Sequence, residues 1–117
     1  MDNYVDGYLL AIPQADLEKY RAMAQAAGEV WKEHGALDYR ECVGDDLATE
    51  YGTSFSVTAN ASENDVVIFA WIMFSSKSER NRINAAVMSD PRLKDCMDSG
   101  LDFKRMSCGG FKTLVSI

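Results

Sequence analysis

Val66-Val67-Ile68-Phe69-Ala70-Trp71-Ile72-Met73-Phe74 is an unbroken run of nine apolar residues, the longest in the chain. It is about half as long as a bilayer-crossing helix, so it predicts no membrane span. Its β-branched and aromatic content suits a strand. A strand with no polar alternation is covered on both faces, which makes this run a central strand that needs two neighbours and two covers.

The neighbours come from both sides of the run. Tyr4 to Ile12 is rich in strand formers and stops at Pro13, which cannot donate to a ladder. Leu37 to Val43 alternates as a polar strand, suited to a sheet edge. A last strand is expected within Phe103 to Ile117, with Gly109-Gly110 marking a bulge or a close backbone approach. Residues 44–64 read as a long connection with a short strand around Phe55 and Val57.

Helices supply one cover. Leu17, Tyr20, Ala24, Ala27, Trp31 and His34 recur at helical spacing over residues 16–34, ahead of Gly35 as a C-terminal stop. Ser76-Lys77-Ser78-Glu79 is a capping box that opens a second helix, with Ile83, Ala86 and Val87 inward. Asp90-Pro91 starts a short third helix through Met97. The order β-α-β-β-α-β predicts an α+β, ferredoxin-like fold: a four-stranded antiparallel sheet with two main helices on one face. The opposite face, carrying the outward side chains of the apolar run, then needs a second copy, so a homodimer is expected.

A length of 117 residues predicts a single domain over residues 1–117. Twelve basic residues against 18 acidic ones give a net charge of −6, the wrong sign for gripping phosphate backbones. Residues 1–60 carry 4 basic and 11 acidic groups, while residues 61–117 carry 8 and 7. The N-terminus lacks a secretory pattern, and Cys42, Cys96 and Cys108 are odd in number without C-x-x-C spacing. Free thiols and a cytoplasmic location are expected.

Several segments together carry a family likeness. They are Tyr4-Val5-Asp6-Gly7, Trp31 to Glu41, Val66 to Ile72, Met88-Ser89-Asp90-Pro91-Arg92, Lys104-Arg105-Met106 and Gly109-Gly110-Phe111. With these, the chain resembles the YbaA-like family of short bacterial proteins, of the dimeric α+β barrel superfamily. The chain departs from the family pattern at residues 47–62 and at Cys108. The resemblance implies the fold and dimerisation, and it carries no established activity.

His34 is the single histidine, so metal sites built on several histidines are excluded and no metal is assigned. Continuing the helical stripe, it is the candidate catalytic base, although a structural role is favoured, since a protonated imidazole at a helix C-terminus satisfies carbonyls and the dipole without further assumptions. Asp6, Trp71 and Arg105 are the candidate ligand-binding residues. In one reading Asp6 pairs with Lys104 or Arg105; in the other Arg105 receives an anion. Asp38, Arg40 and Glu41 read as charges on a solvated edge, and Lys77, Arg80 and Arg82 as a small basic face. No phosphate loop, nucleophile elbow or dinucleotide fingerprint is present, and no cofactor is assigned.

Two functions compete. The first is a homodimer that binds a small organic molecule between helices and sheet, as a cofactor-free oxygenase or isomerase. This reading rests on fold analogy. The second is a non-catalytic regulatory or stress-related protein that acts through its surface. RNA binding ranks third.

Overall fold

A computed structural model describes residues 2–117. The elements are β1 (Tyr4–Pro13), α1 (Leu17–His34), β2 (Asp38–Val43), α2 (Phe55–Thr58), β3 (Asp65–Phe74), α3 (Lys77–Met88), α4 (Pro91–Met97) and β4 (Ser107–Lys112). The four strands form one antiparallel sheet in the order β2-β3-β1-β4, with the apolar run central as its composition requires. This is the ferredoxin-like arrangement, with helices on one face.

Register decides which side chains meet the helices, because successive residues of a strand point to opposite faces. Asp6 is opposite Ile72, Tyr8 opposite Ala70 and Leu10 opposite Ile68. Tyr39 is in turn opposite Ile72, and Glu41 opposite Ala70. All of these belong to the helix face. Ala27, Val30 and Trp31 of α1 pack there with Ile72, Phe74, Ile83, Val87 and Leu93. Tyr20 and Ala24 pack with Leu10, Ile12, Ile68 and Ala70 in a second cluster. Phe74 and Val87 are wholly buried, and truncating such a phenylalanine to alanine costs about 3–5 kcal/mol.

The helix ends follow their sequence signals. The Gly35 N–H donates to the Lys32 carbonyl, with Gly35 in the left-handed region at φ 119°. Ser76 Oγ accepts the Glu79 N–H, and Asp90 accepts the Arg92 N–H ahead of α4, whose first residue is Pro91. No helix among the described residues is long and apolar enough to cross a membrane.

One expectation needs correction. The apolar insert at Phe55 and Val57 is the one-turn helix α2, which Ser54 opens by accepting the Ser56 N–H. It takes no part in the sheet, whose order is β2-β3-β1-β4. Instead the connection folds over one end of the outer face, where Ala59, Leu47 and Ala61 cover Ala11 and Val67.

The last strand falls within Phe103 to Ile117, as expected, and covers Ser107–Lys112. Its pairing with β1 runs from Leu9↔Ser107 to Tyr4↔Lys112, where β1 itself begins. Before it, Leu101 and Phe103 turn inward onto the core. Gly109-Gly110 makes no bulge, since the ladder passes through Gly7↔Gly109 and Asp6↔Gly110 unbroken. Gly110 marks a close approach: a Cβ there would overlap the Tyr4 hydroxyl and come within 2.9 Å of Arg80 Nη2.

As expected from two helices on one face, the chain leaves the outer side of its sheet open. On the outer face Phe69 is 46% exposed and Phe111 is 64% exposed.

Candidate functional site

The four residues singled out from sequence are not brought together. Asp6 is the one buried charged residue in the described chain, at 4% exposure. Its partner is neither Lys104 nor Arg105. Arg80 Nε donates to Asp6 Oδ1 at 3.0 Å, Arg80 Nη2 lies 2.8 Å from the same oxygen, and Asn84 Nδ2 donates to Oδ2 at 3.0 Å. The register explains the correction. Asp6 sits opposite Gly110, at the end of the sheet from which β3 leads into α3, so the first turns of α3 lie above it. Arg105 precedes Ser107 and falls towards the far end of β1, where it pairs with Asp65 and donates to the Asn60 carbonyl at 3.1 Å.

These contacts make Asp6 the centre of a closed polar knot. The Trp31 Nε1–H donates to Asn84 Oδ1 at 3.0 Å, and the Arg80 guanidinium lies 5.3 Å from the centre of the Tyr4 ring. Each donor has an acceptor, so the knot joins α1 and α3 to the sheet and offers nothing to a ligand. Arg80 therefore leaves the basic face it was expected to share with Lys77 and Arg82.

His34 turns away from the sheet. Its Nε2 is 2.9 Å from Asp90 Oδ2; a carboxylate only accepts, so Nε2 carries the proton. Arg92 also binds Asp90, and its hydrogen bonds are the largest cause holding the Asp90 carboxyl well below the usual carboxylate range, with His34 next. The histidine fastens the end of α1 to the start of α4. Trp71 lies on the outer face, where its Nε1–H donates to Asp38 at 3.2 Å and Phe69 meets it edge-on with ring centres 6.0 Å apart.

What the helix face does contain is a groove of about 1220 Å³ between α1 and β2. Its apolar walls include Ala24, Gly28, Val43 and Ile68, and Tyr20, Tyr39 and Glu41 line it with polar atoms. The Tyr20 hydroxyl donates to Glu41 Oε1 at 2.6 Å and the Tyr39 hydroxyl to Oε2 at 2.8 Å. Burial, and next the charge of Glu41, pushes both phenols far above the ordinary tyrosine range. Tyr8 is pushed up to about 12, first by burial and then by Asp6. All three phenols stay protonated at neutral pH.

Local sequence explains the arrangement. Tyr20 belongs to the inward stripe of α1, and Tyr39 and Glu41 are two apart on β2, hence on one face. The Tyr39 ring fits because Gly28 leaves a gap in α1: a Cβ there would stand 2.6 Å from ring carbons Cδ1 and Cε1. Sequence reasoning missed this site. The available signal was a glycine in the interior of a strongly patterned helix, which costs about 1 kcal/mol relative to alanine and so asks for a packing reason. The three cysteines are unpaired, and burial pushes the thiol of Cys96, on the groove wall, above its usual value.

Residues 3–104 match the family described as Protein of unknown function (DUF1428). Over 113 residues the chain is 41% identical to the protein named Uncharacterized protein YbaA of Escherichia coli (strain K12), covering 96% of this chain and 97% of that one. Two solved structures share the fold. One is a variant of SnoaB, described as a cofactor-independent oxygenase from Streptomyces nogalater, with TM-score 0.64 at 11% identity over 100% of this chain and 98% of that one. The other is a nipsnap family protein with unknown function from Agrobacterium tumefaciens, with TM-score 0.56 at 16% identity over 95% and 87%.

Proposed function

The chain belongs to the DUF1428 family, and we propose that it binds a small organic molecule in the groove between α1 and β2. One observation carries the reading: a carboxylate held by two phenols lines a largely apolar groove of about 1220 Å³. Binding sites combine apolar walls with a few fixed polar groups in this way. The two hydrogen bonds hold Glu41 in one orientation before any ligand arrives, which lowers the ordering cost of binding. SnoaB is described as a cofactor-independent oxygenase. In the finer reading, as such an oxygenase or an isomerase, Glu41 would accept a proton from the bound molecule. His34, Asp6 and Arg105 have no part in it, since each is spent on a structural partner.

The test is a ligand-observed NMR screen of aromatic fragments against the wild type and Gln25→Trp. Gln25 is an exposed groove residue, so an indole there obstructs the opening without entering the core. Hits that disappear in the variant support the reading. Hits that persist, or an empty screen, overturn it.

We propose further that a second copy of the chain covers the outer sheet face. The fold is a slab measuring 38 × 37 × 19 Å, so its broad face exceeds the roughly 800 Å² per partner of a stable interface. Val5, Leu9, Phe69, Met73 and Phe111 line an apolar hollow of about 630 Å³ on that side. Asp38 and Arg40 add opposite charges to the same face of β2, which a two-fold axis can match.

A further inference from the structure

We propose that the α1–β2 groove selects an organic amine, receiving its ammonium group at Glu41 and its apolar body against the walls formed by Ala24, Gly28, Val43 and Ile68. This rests on the groove being the ligand site and adds the charge and hydrogen-bonding class of the ligand. It reverses the sequence-based idea of an anion held by Arg105.

The first support is an inventory of donors and acceptors. An ionised carboxylate only accepts, and each phenol has one proton to give. The Tyr20 and Tyr39 protons are both spent on Glu41, one on each oxygen. What the three side chains still offer the groove is therefore lone pairs: those left on Glu41 and those of two phenol oxygens. A ligand group rich in N–H donors satisfies them. A carbonyl or carboxylate finds no donor among these three groups and meets a negative charge.

The second support is the charge around the groove. Five carboxylates line it, from Glu18, Glu29, Glu33, Glu41 and Asp95, against three basic side chains; Asp38 borders it with its carboxylate turned to Trp71 on the outer face. Those three are already engaged. Arg21 binds Glu18, Arg92 binds Glu33 and Asp90, and Lys32 Nζ donates to the Leu37 carbonyl at 2.9 Å. Glu29, Glu41 and Asp95 have no ion-pair partner among the described residues, so the field across the groove favours a cation.

Three probes with one aromatic body and different heads test this: tryptamine, tryptophol and indoleacetate, titrated calorimetrically into the full chain. Tryptamine is expected to bind about tenfold more tightly than tryptophol, as a charge-assisted hydrogen bond requires, with indoleacetate weakest. Glu41→Gln is expected to abolish the preference for tryptamine. Should that variant misfold, the exposed Asp95→Asn is expected to weaken tryptamine about twofold, and added salt to weaken it further. Gln25→Trp should remove binding of every probe that enters the groove. If tryptophol or indoleacetate binds as tightly as tryptamine and Gln25→Trp removes that binding, the amine inference fails and the groove remains the site. If no probe binds, or binding survives Gln25→Trp, the groove reading fails and the inference with it.

Discussion

Gly28 and Tyr39 are packed so closely that the phenol ring occupies the space in which any other residue would carry its Cβ, 2.6 Å from the nearest ring carbons. The contact joins a helix interior to an edge strand, and its consequence is chemical: it lets the Tyr39 hydroxyl reach Glu41.

Gly28→Ala measures the strength of that coupling. Overpacking a fitted site costs about 1–3 kcal/mol, and the helix-propensity gain returns about 1 kcal/mol. A net loss of about 1 kcal/mol in urea unfolding is expected. In a Tyr39→Leu background the ring is gone, and the same substitution should stabilise the chain. Stabilisation by Gly28→Ala alone would show that the ring is not held there.

Removing Asp6 should be the most damaging change in the polar knot. Asp6→Ala strands the Arg80 guanidinium beneath α3, and breaking a buried pair costs about 3 kcal/mol at the low end, as suits an arginine that keeps some contact with solvent. Asp6→Ala combined with Arg80→Met should recover part of the loss. Additive losses in urea unfolding would contradict the pairing.

Acid should loosen two ties in particular. Arg92, then His34, holds Asp90 below the usual range, and Arg105, then Ser62, does the same for Asp65. A carboxyl more acidic in the folded chain binds protons more tightly when unfolded. Its stabilising contribution is therefore complete above the ordinary aspartate value near 4 and falls as pH drops towards the lower folded values. Urea midpoints should decline below about pH 4, and Asp90→Asn with Asp65→Asn should flatten that decline. An unchanged slope in the double variant would assign the acid limb to other groups.

Sedimentation tests whether a second copy covers the outer sheet face. A two-fold assembly weighs about 26 kDa, twice the 13.0 kDa chain. Phe111→Glu should shift the distribution towards the monomer, and a wild-type monomer at micromolar concentration would contradict the interface.

Much of the fold was legible because it rests on local, periodic signals. The Leu17 to His34 stripe, the Ser76 capping box, Asp90-Pro91 and the Val66 to Phe74 run each declare an element without reference to the others. The site was not legible, because it depends on how elements meet. Tyr20 looked like one more core residue, and Glu41 like a solvated charge on an edge strand. Only the pairing of Glu41 with Ala70 turns its carboxylate under α1, and a one-residue slip would have sent it to the outer face. His34 misled for a related reason. It continues the stripe by spacing, but at the last turn of α1 the neighbour is the cap of α4 rather than the sheet.

A crystal structure of the chain soaked with tryptamine shows whether the groove beside Glu41 holds the ligand. The ammonium is expected within hydrogen-bonding distance of Glu41, with the indole lying between α1 and β2. An indole seated instead in the outer-face hollow against Phe69 and Phe111, with the groove unfilled, would contradict that placement.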